Sequence, residues 1–281
     1  MKKKLSKFNG ILSLNKSFDK NHYSKDYYAS HGFYKKKYSS DEINEKLEPF
    51  KIYDYLIKTS LKLKNIKILE IGCGEGFGAR YLHKRYNYTG IELTSHPFEF
   101  HNKKTFKKIN FFKGDFIEIK NSLKVKYDVI IFHGVLEHLS DLNSTLKFIN
   151  KYLNNSGLLL VNVPNDFSPY QKKYLKNFKI PYHKANFVNQ EHKNYFTPIS
   201  LKKLFKNFKC LKIFTNFPID IFLLNKKTNF YINKKFGIHA YNIYREVEKV
   251  IKKDLKKYIN LGEAQSDLGI GRTITACFKK K

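Results

Sequence analysis

The stretch Lys67-Ile68-Leu69-Glu70-Ile71-Gly72-Cys73-Gly74-Glu75-Gly76-Phe77-Gly78-Ala79 decides the fold. A short apolar run feeds into four alternating glycines, and a helical run, Ala79 to Tyr86, follows. Glycines at such a turn let the backbone bend sharply and approach a ligand that a Cβ would exclude. The helix behind them offers free N–H groups and the positive end of its dipole. A dinucleotide-binding loop needs G-x-G-x-x-G, and its third glycine position here is Phe77, which does not fit. The alternative spacing, acidic-x-G-x-G-x-G, fits at Glu70, Gly72, Gly74 and Gly76.

Outward from that loop, short apolar runs predict buried parallel strands at 66–71, 88–93, 109–112, 127–132 and 158–163. Helical or mixed segments separate them, as at 78–86 and 143–153. Strand and helix in alternation mean βαβ units. The expected fold class is therefore α/β, a doubly wound, mostly parallel Rossmann-like sheet with helices on both faces. Residues 1–60 read as an N-terminal extension holding the aromatics Tyr23, Tyr27, Tyr28 and Tyr34 and a helix over 43–57. Residues 61–281 read as the main domain, with a lid-like loop over 164–197 and an insert over 218–270. A helix is expected at 198–207, strands at 210–217 and 273–278, and one long helix at 241–259 within the insert.

The Gly-rich stretch resembles the first motif of class I S-adenosylmethionine-dependent methyltransferases. Four later features agree in order and spacing. Glu92 ends the second strand, 22 positions after Glu70, where a carboxylate can accept both ribose hydroxyls. Gly114-Asp115-Phe116 follows the third strand, where the family places an acid at the adenine amino group and an apolar neighbour on the ring. The run from Tyr127 to Leu139 resembles the fourth-strand motif, and Val163-Pro164-Asn165 the segment after the fifth strand. The resemblance covers about 65–217. It is closest to a branch containing ubiquinone-biosynthesis O-methyltransferases and enzymes encoded beside surface-glycan genes, on the segment from Glu191 to Thr197 followed by Ser200-Leu201. It implies S-adenosylmethionine as cofactor, with Glu70, Gly72, Cys73, Gly74, Glu92, Leu93, Asp115, Phe116 and His133 as its binding residues.

Methyl transfer is an in-line displacement from a sulfonium with an excellent leaving group, so the protein chiefly aligns the partners. An alcohol or phenol acceptor also needs a base, and His is the usual choice. His192 is the first candidate, since it lies in the variable region after the fifth strand. A role bracing that loop is the bland reading. His133 and His138 flank the carboxyl end of the fourth strand as further candidates, and His138 can equally anchor the helix that follows. A metal site is not expected. Small-RNA 2′-O-methyltransferases resemble the chain at Leu136-Glu137-His138 and hold a divalent ion there, but their second Glu is replaced by Gly134. The three cysteines, Cys73, Cys210 and Cys277, have no metal-ligand spacing.

The formal charge of +30 first suggests nucleic acid. Nearly all of it is Lys, however, and Arg occurs only at 80, 85, 245 and 272. Specific nucleic-acid recognition favours the bidentate Arg fork, so codon bias explains the lysines better. The basic start Met1-Lys2-Lys3-Lys4 leads into no apolar run of signal or membrane-span length. A cytoplasmic enzyme acting on a small-molecule acceptor is expected, a sugar or surface-glycan precursor by the subgroup resemblance. An RNA-modifying methyltransferase and a non-catalytic cofactor-binding scaffold are the competing readings.

Overall fold

A computed structural model of the chain describes residues 5–8, 11–14, 37–188 and 191–281. The N-terminal tyrosines at 23, 27, 28 and 34 lie outside the described residues. Seven strands form one sheet in the order β5-β4-β3-β6-β7-β10-β9. They are β3 (Lys67–Ile71), β4 (Asn87–Glu92), β5 (Asn110–Lys113), β6 (Tyr127–His133), β7 (Leu153–Pro164), β9 (Phe208–Thr215) and β10 (Thr273–Lys280). Strand β3 pairs in parallel with both β4 and β6, and β4 pairs in parallel with β5. The chain order therefore reverses beside β3, and open α/β sheets bind their ligands beyond the strand ends at such a switch. A smaller sheet joins β1 (Leu5–Phe8), β2 (Ile11–Leu14) and β8 (Asn194–Tyr195).

The chain divides into two compact units. One holds the described residues of 17–135 with Asp141–Leu160 and Lys279–Lys281. Its core is made by Ile68, Leu69, Val129, Ile130 and Ile131, all fully buried. Near-continuous apolar strands of this kind are what a sheet covered on both faces requires. Helix α1 (Ser40–Ser60) belongs here and begins in a reciprocal cap: the Ser39 hydroxyl accepts the Glu42 N–H while the Glu42 carboxylate accepts the Ser39 N–H. It buries Phe50, Tyr53, Leu56 and Ile57, one helical face. Helix α2 (Phe77–Leu82) follows the glycine loop, and α3 (His96–Phe106) and α4 (Leu142–Tyr152) complete the helices of the unit.

The other unit holds the described residues of 1–16 with Leu136–Ser140 and Val161–Phe278. Here the structure differs from the expected long loop. Helix α5 (Pro169–Asn177) starts on a Ser168 hydroxyl that accepts the Gln171 N–H, with Pro169 at the first helical position. Tyr174 and Leu175 of α5 bury against Phe167, Phe187, Tyr195 and Leu223. The segment is thus a packed structural element with its own apolar cluster. Helix α6 (Pro198–Leu204) matches the expected start at Pro198. The single helix expected over 241–259 is two, α7 (Lys234–Ile251) and α8 (Leu255–Asp267). The Asp254 carboxylate accepts the Lys257 N–H and opens α8, which breaks the run. No helix among the described residues is long and apolar enough to cross a membrane.

Candidate active site

The glycine loop leaves β3 with its backbone tied to the next strand: the N–H groups of Gly72 and Cys73 both donate to the Ile91 carbonyl, at 2.8 and 3.2 Å. Gly72 and Gly74 sit at φ +70° and +49°, the left-handed region where a side chain is strained. A Cβ at Gly74 would meet nothing within 4 Å among the described residues. Glu92 turns toward Gly74. Its Oε2 accepts the Gly74 N–H at 2.8 Å and its Oε1 accepts the Leu93 N–H at 2.7 Å. Asp115 holds the next turn through Oδ1, which accepts the Ile117 N–H at 2.8 Å.

Two expected cofactor residues face inward. Glu70 is buried, accepts the Tyr88 hydroxyl, and packs where a side chain on Gly78 would otherwise stand. Burial pushes its pKa up to about 7, against the lowering effect of the Tyr88 bond and with a further push from Glu92. Phe116 is buried edge-on against Phe132 and Phe148. Both side chains belong to the core of this unit. The outer side of the loop is held by Glu75, whose carboxylate takes the Tyr38 hydroxyl at 2.7 Å, the Lys46 ammonium at 2.8 Å and lies 3.2 Å from His101 Nε2. His133, at the end of β6, bonds through Nδ1 to the Tyr53 hydroxyl of α1 at 2.9 Å. Desolvation pushes its pKa down to about 4, which keeps the ring neutral.

The second unit gathers His138, His192 and Glu137. The Glu137 carbonyl accepts the N–H groups of Lys193 and Asn194, and the Asn194 amide donates to the carbonyls of Leu136 and Leu139. Those four bonds staple the 191–195 segment to the 136–140 segment. The His138 and His192 rings meet edge-on with centroids 5.0 Å apart, and His138 Nδ1 lies 3.1 Å from the Glu191 carbonyl. One donor atom each from Glu137, His138 and His192 fall within 4.8 Å of one another. Burial, His138 and Arg272 together push His192 down to about 4. Burial pushes Glu137 up to about 8.

Sequence reasoning missed the residues that complete this unit. Asp166 Oδ2 lies 3.9 Å from His192 Nδ1, and Asp166 Oδ1 lies 3.9 Å from Arg272 Nη1. Asp220 Oδ2 lies 3.8 Å from the same nitrogen. Asp166 stands one position beyond the quoted Val163-Pro164-Asn165, so its motif was in view while its role was not. Asp220 and Arg272 come from far along the chain, in tail segments that resemble a methyltransferase subgroup, and their local pattern gives no sign that they meet Asp166.

Comparison with known proteins agrees with this geometry. Residues 41–210 match the family described as a methyltransferase domain. The chain belongs to that family and has the fold of class I, S-adenosylmethionine-dependent methyltransferases. Over 115 residues it is 33% identical to the ubiquinone biosynthesis O-methyltransferase of Pelagibacter ubique strain HTCC1062, covering 39% of this chain and 47% of that protein. Over 108 residues it is 32% identical to the malonyl-[acyl-carrier protein] O-methyltransferase of Priestia megaterium strain DSM 319 / IMG 1521, covering 37% and 39%. The alignments thus span less than half the length of either relative. Among solved structures, a SAM-dependent methyltransferase from Archaeoglobus fulgidus superposes with a TM-score of 0.51 at 18% identity, covering 84% of this chain and 94% of that one. The plantazolicin methyltransferase BamL, solved with a substrate analogue and SAH, gives 0.52 at 12% identity, covering 86% of each. These structural likenesses concern the fold.

Proposed function

We propose that the chain transfers the methyl group of S-adenosylmethionine to a hydroxyl oxygen of a small molecule, a sugar or surface-glycan precursor, with His192 as general base. In this reading Gly72, Cys73 and Gly74 line the cofactor cradle. Glu92 and Leu93 hold the ribose end and Asp115 the adenine amino group, with Glu70 and Phe116 supporting from the core. The cofactor supplies the activated methyl. The chain's own residues orient the two partners, exclude water and receive one proton. That proton goes to a His192 nitrogen, and Asp166, 3.9 Å from Nδ1, stabilises the imidazolium that results.

The single observation that carries the base assignment is this neutral imidazole beside a buried carboxylate. His133 is held by Tyr53, which makes it a positioning group in the cofactor unit. A labelled-methyl transfer assay against sugars and glycan precursors tests the reaction. His192→Ala should lower kcat by about 10²-fold or more while leaving S-adenosylhomocysteine affinity unchanged. An unchanged kcat would remove His192 from the chemistry.

A second reading has one observation in its favour, the approach of Glu137, His138 and His192 donor atoms within 4.8 Å. In it a divalent ion takes these three side chains, and His192 is a ligand instead of a base. Titration with Mn²⁺ in a calorimeter separates the two. Stoichiometric binding that Glu137→Gln abolishes favours the ion, and no heat at millimolar metal favours the base.

A further inference from the structure

Asp166, Asp220 and Arg272 form a polar group that no feature of the cofactor loop explains. The two aspartates are 1% exposed. Asp166 Oδ2, Asp220 Oδ1 and Arg272 Nη1 are each buried and have no hydrogen-bond partner among the described residues. A buried polar atom left unsatisfied costs about 1–3 kcal/mol, so three within one cluster of side chains call for a partner. The carboxylates stand 3.8 and 3.9 Å from the guanidinium nitrogen. That is beyond a direct hydrogen bond, so neither carboxylate satisfies the Nη1 N–H groups.

The frame around the gap is rigid. The Asp220 carboxylate accepts the Gln171 side-chain amide at 2.9 Å, and the Gln171 carbonyl oxygen accepts the Phe167 N–H at 2.6 Å. Asn165 donates its side-chain N–H groups to the carbonyls of Gly269 and Gly271, both at 2.9 Å, on the approach to Arg272. Asp220 is therefore held through Oδ2, which leaves its Oδ1 unsatisfied, and Asp166 is held through its main-chain N–H, which donates to the Phe196 carbonyl.

Charge decides what fits. Two carboxylates against one guanidinium leave no surplus positive charge, so a phosphate or carboxylate entering here meets Asp166 and Asp220 at close range. A hydroxyl suits all three groups at once, since it donates to a carboxylate and accepts from Arg272. Two neighbouring hydroxyls would engage both aspartates. Resting on the methyl-transfer reading above, we infer that Asp166, Asp220 and Arg272 form the acceptor subsite, and that it takes an uncharged vicinal diol such as a pyranose ring presents. His192, 3.9 Å from Asp166, places the candidate base at its edge.

The test is saturation-transfer NMR on the full chain with S-adenosylhomocysteine present. The probes are methyl α-glycosides of glucose, galactose, mannose and rhamnose, with malonate as the anionic comparison. At least one glycoside should receive saturation from the wild type and lose affinity about tenfold or more in Asp220→Asn. Malonate should receive none. Failure of all four glycosides overturns the inference, as does a malonate signal that Arg272→Lys removes or a glycoside signal that survives Asp220→Asn. Calorimetric binding of S-adenosylhomocysteine, measured in parallel, separates the two levels. Its absence from the wild type defeats the methyltransferase reading itself, and its presence without glycoside binding defeats the subsite alone. If Asp220→Asn loses S-adenosylhomocysteine through misfolding, Arg272→Lys supplies the deciding comparison under the same criterion.

Discussion

The Glu92 carboxylate braces the loop by accepting the N–H groups of Gly74 and Leu93, and in the proposed reading it also meets the cofactor ribose. Glu92→Ala should therefore weaken S-adenosylhomocysteine binding by about 100-fold, the loss of charged hydrogen bonds worth ~3 kcal/mol, as read by calorimetry. Glu92→Gln, which keeps one acceptor oxygen, should fall between. Glu70 makes a different prediction. Burial raises its pKa from 4.5 to about 7 in the folded chain, so between those values the folded state keeps a proton that the unfolded state has released. Stability contributed by this group is present below the lower value and is lost as pH rises through the upper one, by up to ~3 kcal/mol. Glu70→Gln carries no such proton. Its melting temperature should gain on the wild type between pH 5 and pH 8, and parallel curves would contradict the assignment. Glu92 was legible in the sequence because a strand end and a fixed spacing mark it. The inward turn of Glu70 was not, since the pattern shows an acid and not the Tyr88 hydroxyl that receives it.

At the scale of elements, period and punctuation revealed most of the α/β framework. Apolar runs bounded by Gly, Asn and Lys gave β3, β4, β5 and β6 to within a residue or two, because buried parallel strands leave a nearly continuous apolar signature. Helix α5 was passed over although its signals were present: Ser168 at the cap, Pro169 at the first position and a Gln three residues after the cap. Its middle is Lys-rich, and only Tyr174 and Leu175 carry the buried face with Gln171, so the apolar periodicity was too thin to register. The cap should matter correspondingly. Ser168→Ala is expected to cost about 1 kcal/mol, seen as a lower urea midpoint and faster amide exchange in the first turn of α5. Normal exchange there would mean that Pro169 alone sets the start. The division of the expected 241–259 helix was hidden for another reason: helical periodicity continues through Lys252 and Lys253, and only the Asp254 cap interrupts it.

For the molecule as a whole, the charge of +30 and the chemistry of the acceptor pull in different directions. An uncharged acceptor has no counterions to release, so its KM should change little between 50 and 200 mM salt. A protein gripping several phosphates would lose about 10³- to 10⁵-fold in affinity over that range. A steep salt dependence of KM would restore the RNA-modifying reading. The family match ends at residue 210, while Asp220 and Arg272 lie beyond it. This is why a motif reading named the glycine loop and Glu92 and assigned no role to Asp220 or Arg272. Asn165 and Asp166 are positioned through main-chain N–H groups, which donate to the carbonyls of Arg272 and Phe196, each at 2.9 Å. Anchorage of that kind does not depend on which side chain stands at 166. Position 166 can thus be varied in a combinatorial library on an intact scaffold, and it is where retargeting to a new alcohol should begin.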